Sequence, residues 1–358
     1  MPQGRGKRCD RLNGRDPTMM LRDLADNAWG EQETHAGRPR VEAYFDAHLV
    51  PPVGFPDNDP LWGVYRSDGR LIEAAAHKRG PGRMLLGQSE TLMASAEFHK
   101  VDGTGIYGGL TSPHFGHYLL STLSRYWIDL RSDYPGSKIY IHMLQENLSG
   151  WLARPFVRQT LAALGFHESD FVPIDRPMRL RHLIVPAPGF IEQSVAFQAY
   201  GEIGRLIGER LCAAQPQPRP EPVYLSKERL RGGIWTTENE WDLVEGLREA
   251  GVRIVHPETL TLPEQIRIFA EHRTVIGLAG SALHTSLLSS GGHRILGLYP
   301  TEMVNSNFLL IDKIKNNRSS YFTPPGGLQR IGETSDFAHM YRIPEPRLIA
   351  RELLSQAE

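Results

Sequence analysis

The feature that most constrains this chain is an alternation of short apolar runs with amphipathic segments through its second half. Val223–Ser226 reads as a strand, Glu238–Ala250 as a helix ended by Gly251, Val252–Val255 as a strand and Leu262–His272 as a helix. Thr274–Ile276 follows as a strand, Ser281–Ser289 as a helix stopped by Gly291 and Gly292, Ile295–Tyr299 as a strand and Asn305–Lys315 as a helix. Such a repeat, at roughly 20–30 residues per unit, is the signature of a parallel sheet covered by helices.

A less regular version begins near residue 112. Phe115–Leu130 carries an apolar stripe at helical spacing, Lys138–Leu144 reads as a strand, and Trp151–Leu164 as a helix. Arg181–Val185 is a short apolar run ended by Pro186, and Gln193–Ala214 is a long amphipathic helix. Between the two halves lies QPQPRPEP (215–222). Its alternate prolines fit neither a helix nor a central strand, so it reads as an extended linker. The expected organisation is therefore a polar N-terminal arm (1–40), an N-terminal domain (41–214), the linker and a C-terminal domain (223–343). A last helix over Pro344–Leu354, in the tail 344–358, is expected to pack back on the first domain. The arm reads as loosely ordered, with helical character at Met19–Ala28. Residues 41–110 read as short strands such as Met84–Leu86 and Ile106–Tyr107. Two α/β units joined this way leave a cleft, and open α/β sheets bind ligands at the carboxyl ends of their strands.

Composition narrows the partners. Lys+Arg 40 against Asp+Glu 41 gives a net charge of -1, which argues against bulk electrostatic binding to nucleic acid or an anionic membrane. Two cysteines, Cys9 and Cys212, imply no disulfide framework and suit a reducing compartment. No run approaches the ~18 apolar residues of a membrane span, and residues 1–20 lack a signal-peptide core. A cytoplasmic protein is expected, with peripheral attachment at the inner face of the membrane left open.

Three constellations carry chemistry. The first is the strand end Ser226–Lys227 with Arg231, followed by Asn239 and Glu240 at a helix start. Two cations at a sheet edge suit a diphosphate, and Glu240 could accept from ribose hydroxyls. The same pattern also describes a solvated basic loop beside a helix-capping acid. The second is TVIGLAGSALH (274–284), a strand running into Gly280 and a helix that opens on Ser281 and Ala282 and carries His284. It suits a phosphate at a helix N-terminus, or simply a close helix–strand crossing. It lacks G-x-G, so a nicotinamide site is disfavoured. The third is Ser112–Trp127, where His117 sits near a helix start and could take a proton as a neutral imidazole, or act as a packed or capping histidine. His114 and His117 lack the acidic or cysteine neighbours of a metal site, so no metal is expected.

Taken together, these stretches resemble glycosyltransferase family 61 over roughly residues 105–300, a family of bacterial capsule and polysaccharide loci that also includes plant and animal sugar transferases. GHYLLSTLSRYW (116–127) is similar to its early histidine block. VYLSKERLRGGIWTTENEWDLVEGLREAGVRIVHPETLTLPEQIRIF (223–269) is similar to its Tyr-x-Ser-Arg…Arg…Asn-Glu block and the glutamine-containing helix after it, and VIGLAGSALHTSLL (275–288) to its glycine-rich block. The resemblance implies a GT-B fold of two facing Rossmann-like domains with parallel sheets and an interdomain cleft. It also implies transfer, with inversion, from a nucleotide-sugar donor to a glycan or related hydroxyl acceptor, in surface polysaccharide assembly. Carried over by position, the donor-binding set is Ser226, Lys227 (in place of the family's usual Arg), Arg231, Asn239, Glu240, Gly280, Ser281, Ala282 and His284. His117 is the candidate base, and no metal or other cofactor is called for. Ser121 stands where many members have Asp, Ala279 where many have His, Thr285 where an Asn is usual and Gly297 where a strand-end Glu is common. The missing Asp leaves a non-catalytic sugar- or nucleotide-binding module as an alternative, and the glycine-rich turn leaves a Rossmann oxidoreductase.

Overall fold

A computed structural model describes residues 21–52, 62–80, 87–92, 97–144, 146–212, 216–230, 232–335 and 338–357. The strand expected at Met84–Leu86, Cys9 and Arg231 lie outside these residues.

The second half forms a six-stranded sheet in the order Arg22–Asp23, Arg318–Thr323, Arg294–Leu298, Thr274–Leu278, Val223–Leu225, Arg253–Val255. All neighbours are parallel except Arg22–Asp23, which joins the edge antiparallel. Val275, Ile276, Ile295 and Leu296 are fully buried, as expected for strands covered on both faces. The first strand of this half lies between the second and the third. The winding therefore reverses between Val223–Leu225 and Thr274–Leu278, which defines a topological switch point.

The first half is also a six-stranded sheet: Gly63–Tyr65, Val41–Val50, Met178–Pro186, His99–Leu110, Lys138–His142, Phe171–Pro173. The last four strands run parallel, but Val41–Val50 is antiparallel to both its neighbours. The expected parallel sheet is thus mixed. It also contains the long strand His99–Leu110, of which the sequence pattern exposed only Ile106–Tyr107.

Other differences have local causes. The helix expected over Trp151–Leu164 is two helices, Leu148–Ala153 and Pro155–Ala163, because Arg154 precedes a proline and is extended (φ -66, ψ 122). The long helix begins at Gln198, since Val195–Phe197 is taken by a strand. The N-terminal segment has no helix at 21–28. Arg22–Asp23 and Ala28–Trp29 pair with the second half and Glu33–His35 with the first, while Leu21 and Leu24 are buried. The last helix, Pro346–Ser355, packs on Glu240–Glu249 rather than on the first half, and Arg347 bonds Asp242 and Glu249 across that contact.

The two halves share a core. Leu119, Tyr200 and Ile207 cluster with Leu262, Ile266, Leu287 and Leu310. The approach is close because the Gln198–Leu211 helix turns Gly204 and Gly208 to its partner; a Cβ on either would overlap the carbonyl of Leu287 or Leu288.

Candidate functional site

Lys227 follows the carboxyl end of Val223–Leu225 and reaches across the switch point. Its Nζ donates to the Ala279 carbonyl (3.0 Å) and lies 3.8 Å from the centroid of the Trp235 ring. Trp235 Nε1 donates to the same carbonyl (3.0 Å). Burial lowers the Lys227 ammonium to about 7, against the opposing attraction of Glu240. Gly280 provides the room: a Cβ there would sit 2.8 Å from Lys227 Cε and Nζ. Its φ of -179 is ordinary extended backbone, so space rather than conformation requires glycine.

Three residues expected to face a donor are turned inward. Glu240 is 3% exposed; its Oε1 accepts from the Lys227 backbone N–H (2.8 Å) and the Tyr224 hydroxyl (3.0 Å). Burial pushes its pKa above the usual carboxylate range, and these bonds offset that rise only in part. This carboxylate ties the strand end to the helix rather than facing a ribose. Asn239 bonds both backbone groups of Ile343, at 2.8 Å each, and so fastens the C-terminal segment. Ser226 is buried and its hydroxyl exchanges bonds with Glu228.

The glycine-rich turn meets the other half. The expected helix 281–289 is one α-turn, Ser281–His284, continued as 3₁₀ through Leu288. Ser281 is exposed, whereas Ala282 points to a small apolar cavity with Leu225, Val255 and Ile268. At the seam, a Cβ on Gly116 would lie 2.7 Å from Ser281 Oγ and 3.5 Å from His284 Nδ1. His284 is buried with its ring 4.8 Å from that of Phe308, and among the described residues neither nitrogen has a hydrogen-bond partner. Burial lowers its pKa to about 4, with Glu192 opposing that shift.

His117 stands next to Gly116, half-exposed, where the expected helix Phe115–Leu130 breaks up. A short α-turn gives way to a π-turn at Tyr118–Thr122 and then to 3₁₀ at Leu123–Arg125. Single-turn π segments often accompany functional sites. His117 Nδ1 lies 2.8 Å from Glu192 Oε1, and Ser121 Oγ donates to the same oxygen at 2.6 Å. Asn307 Nδ2 donates to Oε2 at 3.4 Å, and Arg79 Nε is 3.7 Å from it. Burial alone would raise the Glu192 carboxyl; the bond and charge of His117, then Ser121 and Arg79, hold it down at about 2. An ionised carboxylate only accepts, so Nδ1 is the protonated nitrogen facing it, and an imidazole with a single proton then presents Nε2 as an acceptor.

Glu192 is the residue sequence reasoning missed. It lies 75 positions from His117 and no motif marks it. The two meet because His117 follows His99–Leu110 and Glu192 follows Met178–Pro186, which are neighbouring parallel strands. Its carboxylate also reaches Ser121, the position at which a local Asp was noted as missing. Trp235 and Arg79 were unmarked as well. His114 and His117 lie with ring centroids 6.4 Å apart. Among the described residues no cluster of three or more His, Cys, Asp or Glu is placed to hold a metal ion, and no helix is long and apolar enough to cross a membrane.

The fold and site define an α/β protein with a cation at the switch point of one sheet and a histidine–carboxylate pair at the strand ends of the other. The family described as Glycosyltransferase 61 matches residues 115–296, half of the chain and both sides of this seam. The chain belongs to glycosyltransferase family 61, and that membership implies glycosyltransferase activity. No curated protein matches it.

Proposed function

We propose that this protein is an inverting glycosyltransferase of GT-B-like organisation that uses a nucleotide-sugar donor, in the setting of surface polysaccharide biosynthesis. The observation that carries the reading is the meeting of Lys227, Gly280, Ser281 and His284 with Gly116 and His117 at one seam. In this reading the donor diphosphate lies against the Lys227 ammonium and the Ser281 hydroxyl, and a donor oxygen satisfies the unpartnered His284 ring. The acceptor hydroxyl attacks the anomeric carbon and gives its proton to His117 Nε2. The new glycosidic bond forms as the bond to the diphosphate breaks. The nucleoside diphosphate leaves with the electron pair, its charge met by Lys227. Glu192 stabilises the imidazolium and fixes its orientation, which supplies a carboxylate that Ser121 does not.

Calorimetry with uridine and guanosine diphosphates and diphospho-sugars tests the donor half. Tight binding to the wild type, weakened about tenfold or more in Lys227→Ala, is expected for the loss of a charge-assisted contact. Equal binding by both proteins refutes the assignment. Binding without nucleoside diphosphate release, over a broad acceptor panel, favours the non-catalytic alternative.

A further inference from the structure

Glu192 sits in a turn that its own residues do not favour. Phe190–Ile191 and Val195–Phe197 pair as an antiparallel hairpin with Ile191 opposite Val195, which leaves Glu192, Gln193 and Ser194 as its loop. Gln193 adopts φ 61, in the left-handed region that favours glycine. Its side chain gains little there, since Nε2 is buried without a partner among the described residues. Such a conformation persists where the surroundings impose it, and it clusters at functional sites.

Three distant segments impose it here. The Glu31 N–H donates to the Gln193 carbonyl at 2.9 Å, and the Gly80 N–H to the Glu192 carbonyl at 2.7 Å. The third hold comes from the second half of the chain. Asn307 Oδ1 accepts from the Gln193 N–H at 2.6 Å. Asn307 is 4% exposed and lies in the first turn of the helix Ser306–Ile314, where its own N–H donates to the capping Asn305 Oδ1 at 3.0 Å. A backbone N–H can only donate, so the carboxamide oxygen must face Gln193. The amide nitrogen is thereby turned toward Glu192 Oε2, at 3.4 Å. That contact is long, so the bond to Gln193 is the firmer of the two. Without Asn307, Oε2 keeps only Arg79 Nε, 3.7 Å away, among the described residues, and the turn loses the bond that offsets its strain. The same helix turn carries Phe308, which packs against His284. One short stretch of the second half thus reaches both the carboxylate behind His117 and the histidine of the glycine-rich turn.

We propose that Asn307 is a positioning residue for the transfer reaction: it holds the Glu192–Gln193 turn, and through it the carboxylate that keeps the proton of His117 on Nδ1, so that the second half of the chain completes the base carried by the first. The proposal rests on the His117–Glu192 reading. Two-bond ¹H–¹⁵N NMR of the ¹⁵N-labelled full chain, at a pH where the ring holds a single proton, reads the tautomer directly, and His117→Gln identifies the peaks. The wild type is expected in the Nδ1–H form. In Asn307→Ala, and in Asn307→Ser, which suits a first helical turn and is the milder change, the ratio of Nδ1–H to Nε2–H falls about tenfold, the scale of one hydrogen bond to an ionised group. Thermal melts establish that the variants are folded; a purely structural role would lower the melting temperature and leave the ratio alone. Glu192→Gln lowers the ratio as well. If Glu192→Gln moves it while both folded Asn307 variants stay within twofold of wild type, the proposal is overturned and the dyad stands. If the wild type is in the Nε2–H form, or Glu192→Gln leaves the ratio unmoved, the dyad falls and the proposal with it.

Discussion

Replacing Glu192 by Gln conserves shape and removes charge. The wild-type carboxyl titrates near 2 instead of 4.5. At about 1.36 kcal/mol per unit, the ionised form is favoured in the folded protein by roughly 3 kcal/mol. Glutamine resembles the protonated form and loses that increment. Its amide cannot satisfy both sides of the site. With its oxygen toward His117 and Ser121, its NH₂ faces the Asn307 and Arg79 donors; reversed, it faces the other two donors. At pH 7 the variant should unfold roughly 4–8 °C below wild type in a thermal melt. Because the folded pKa is depressed, the stabilisation is full above 4.5 and is lost as pH falls toward 2, so the gap between the two proteins closes over that interval. In turnover with a productive donor and acceptor, kcat should fall about 10²–10⁴-fold with nucleotide-sugar binding little changed, as expected when a general base loses its orienting anion. A kcat within threefold of wild type in a folded variant, or a stability gap that is undiminished at pH 2, refutes the dyad.

Other expectations follow from the same geometry. Lys227 must gain a proton to meet a diphosphate. Between pH 7 and 9, nucleoside diphosphate affinity should therefore fall by up to about tenfold per pH unit in calorimetry, and Lys227→Arg should flatten the profile; a flat wild-type profile would be contrary. Gly208→Ala gains about 1 kcal/mol of helix propensity but drives a methyl into the Leu288 carbonyl. Denaturant unfolding should show a net loss of roughly 1–3 kcal/mol, and stabilisation would contradict the close approach. Arg125→Met leaves the carbonyls at 74–76 and 186 without their donor. A loss of roughly 3–5 kcal/mol is expected, together with faster hydrogen exchange at 74–80; unchanged exchange would show that Arg125 does not hold that segment.

Donor-side candidates were easier to read than acceptor-side ones. Lys227, Gly280 and Ser281 follow short strands in a strict βα repeat, so their place at strand carboxyl ends was legible from spacing alone. Ser226, Asn239 and Glu240 share those spans yet turn inward. Sequence spacing sets position along an element but does not decide which polar groups the backbone will claim, and the free amide at Lys227 and the backbone of Ile343 claim two of them.

Local periodicity determined the α/β class, the strands and helices of the second half and the residues at their tips, because those depend on neighbours a few positions away. The partner of His117, the π-turn that carries it and the pairing of residues 22–35 with both halves came from the tertiary structure. Each joins segments tens to hundreds of residues apart, and such pairings depend on strand order and on glycine-permitted contact between backbones. No short window of sequence contains either.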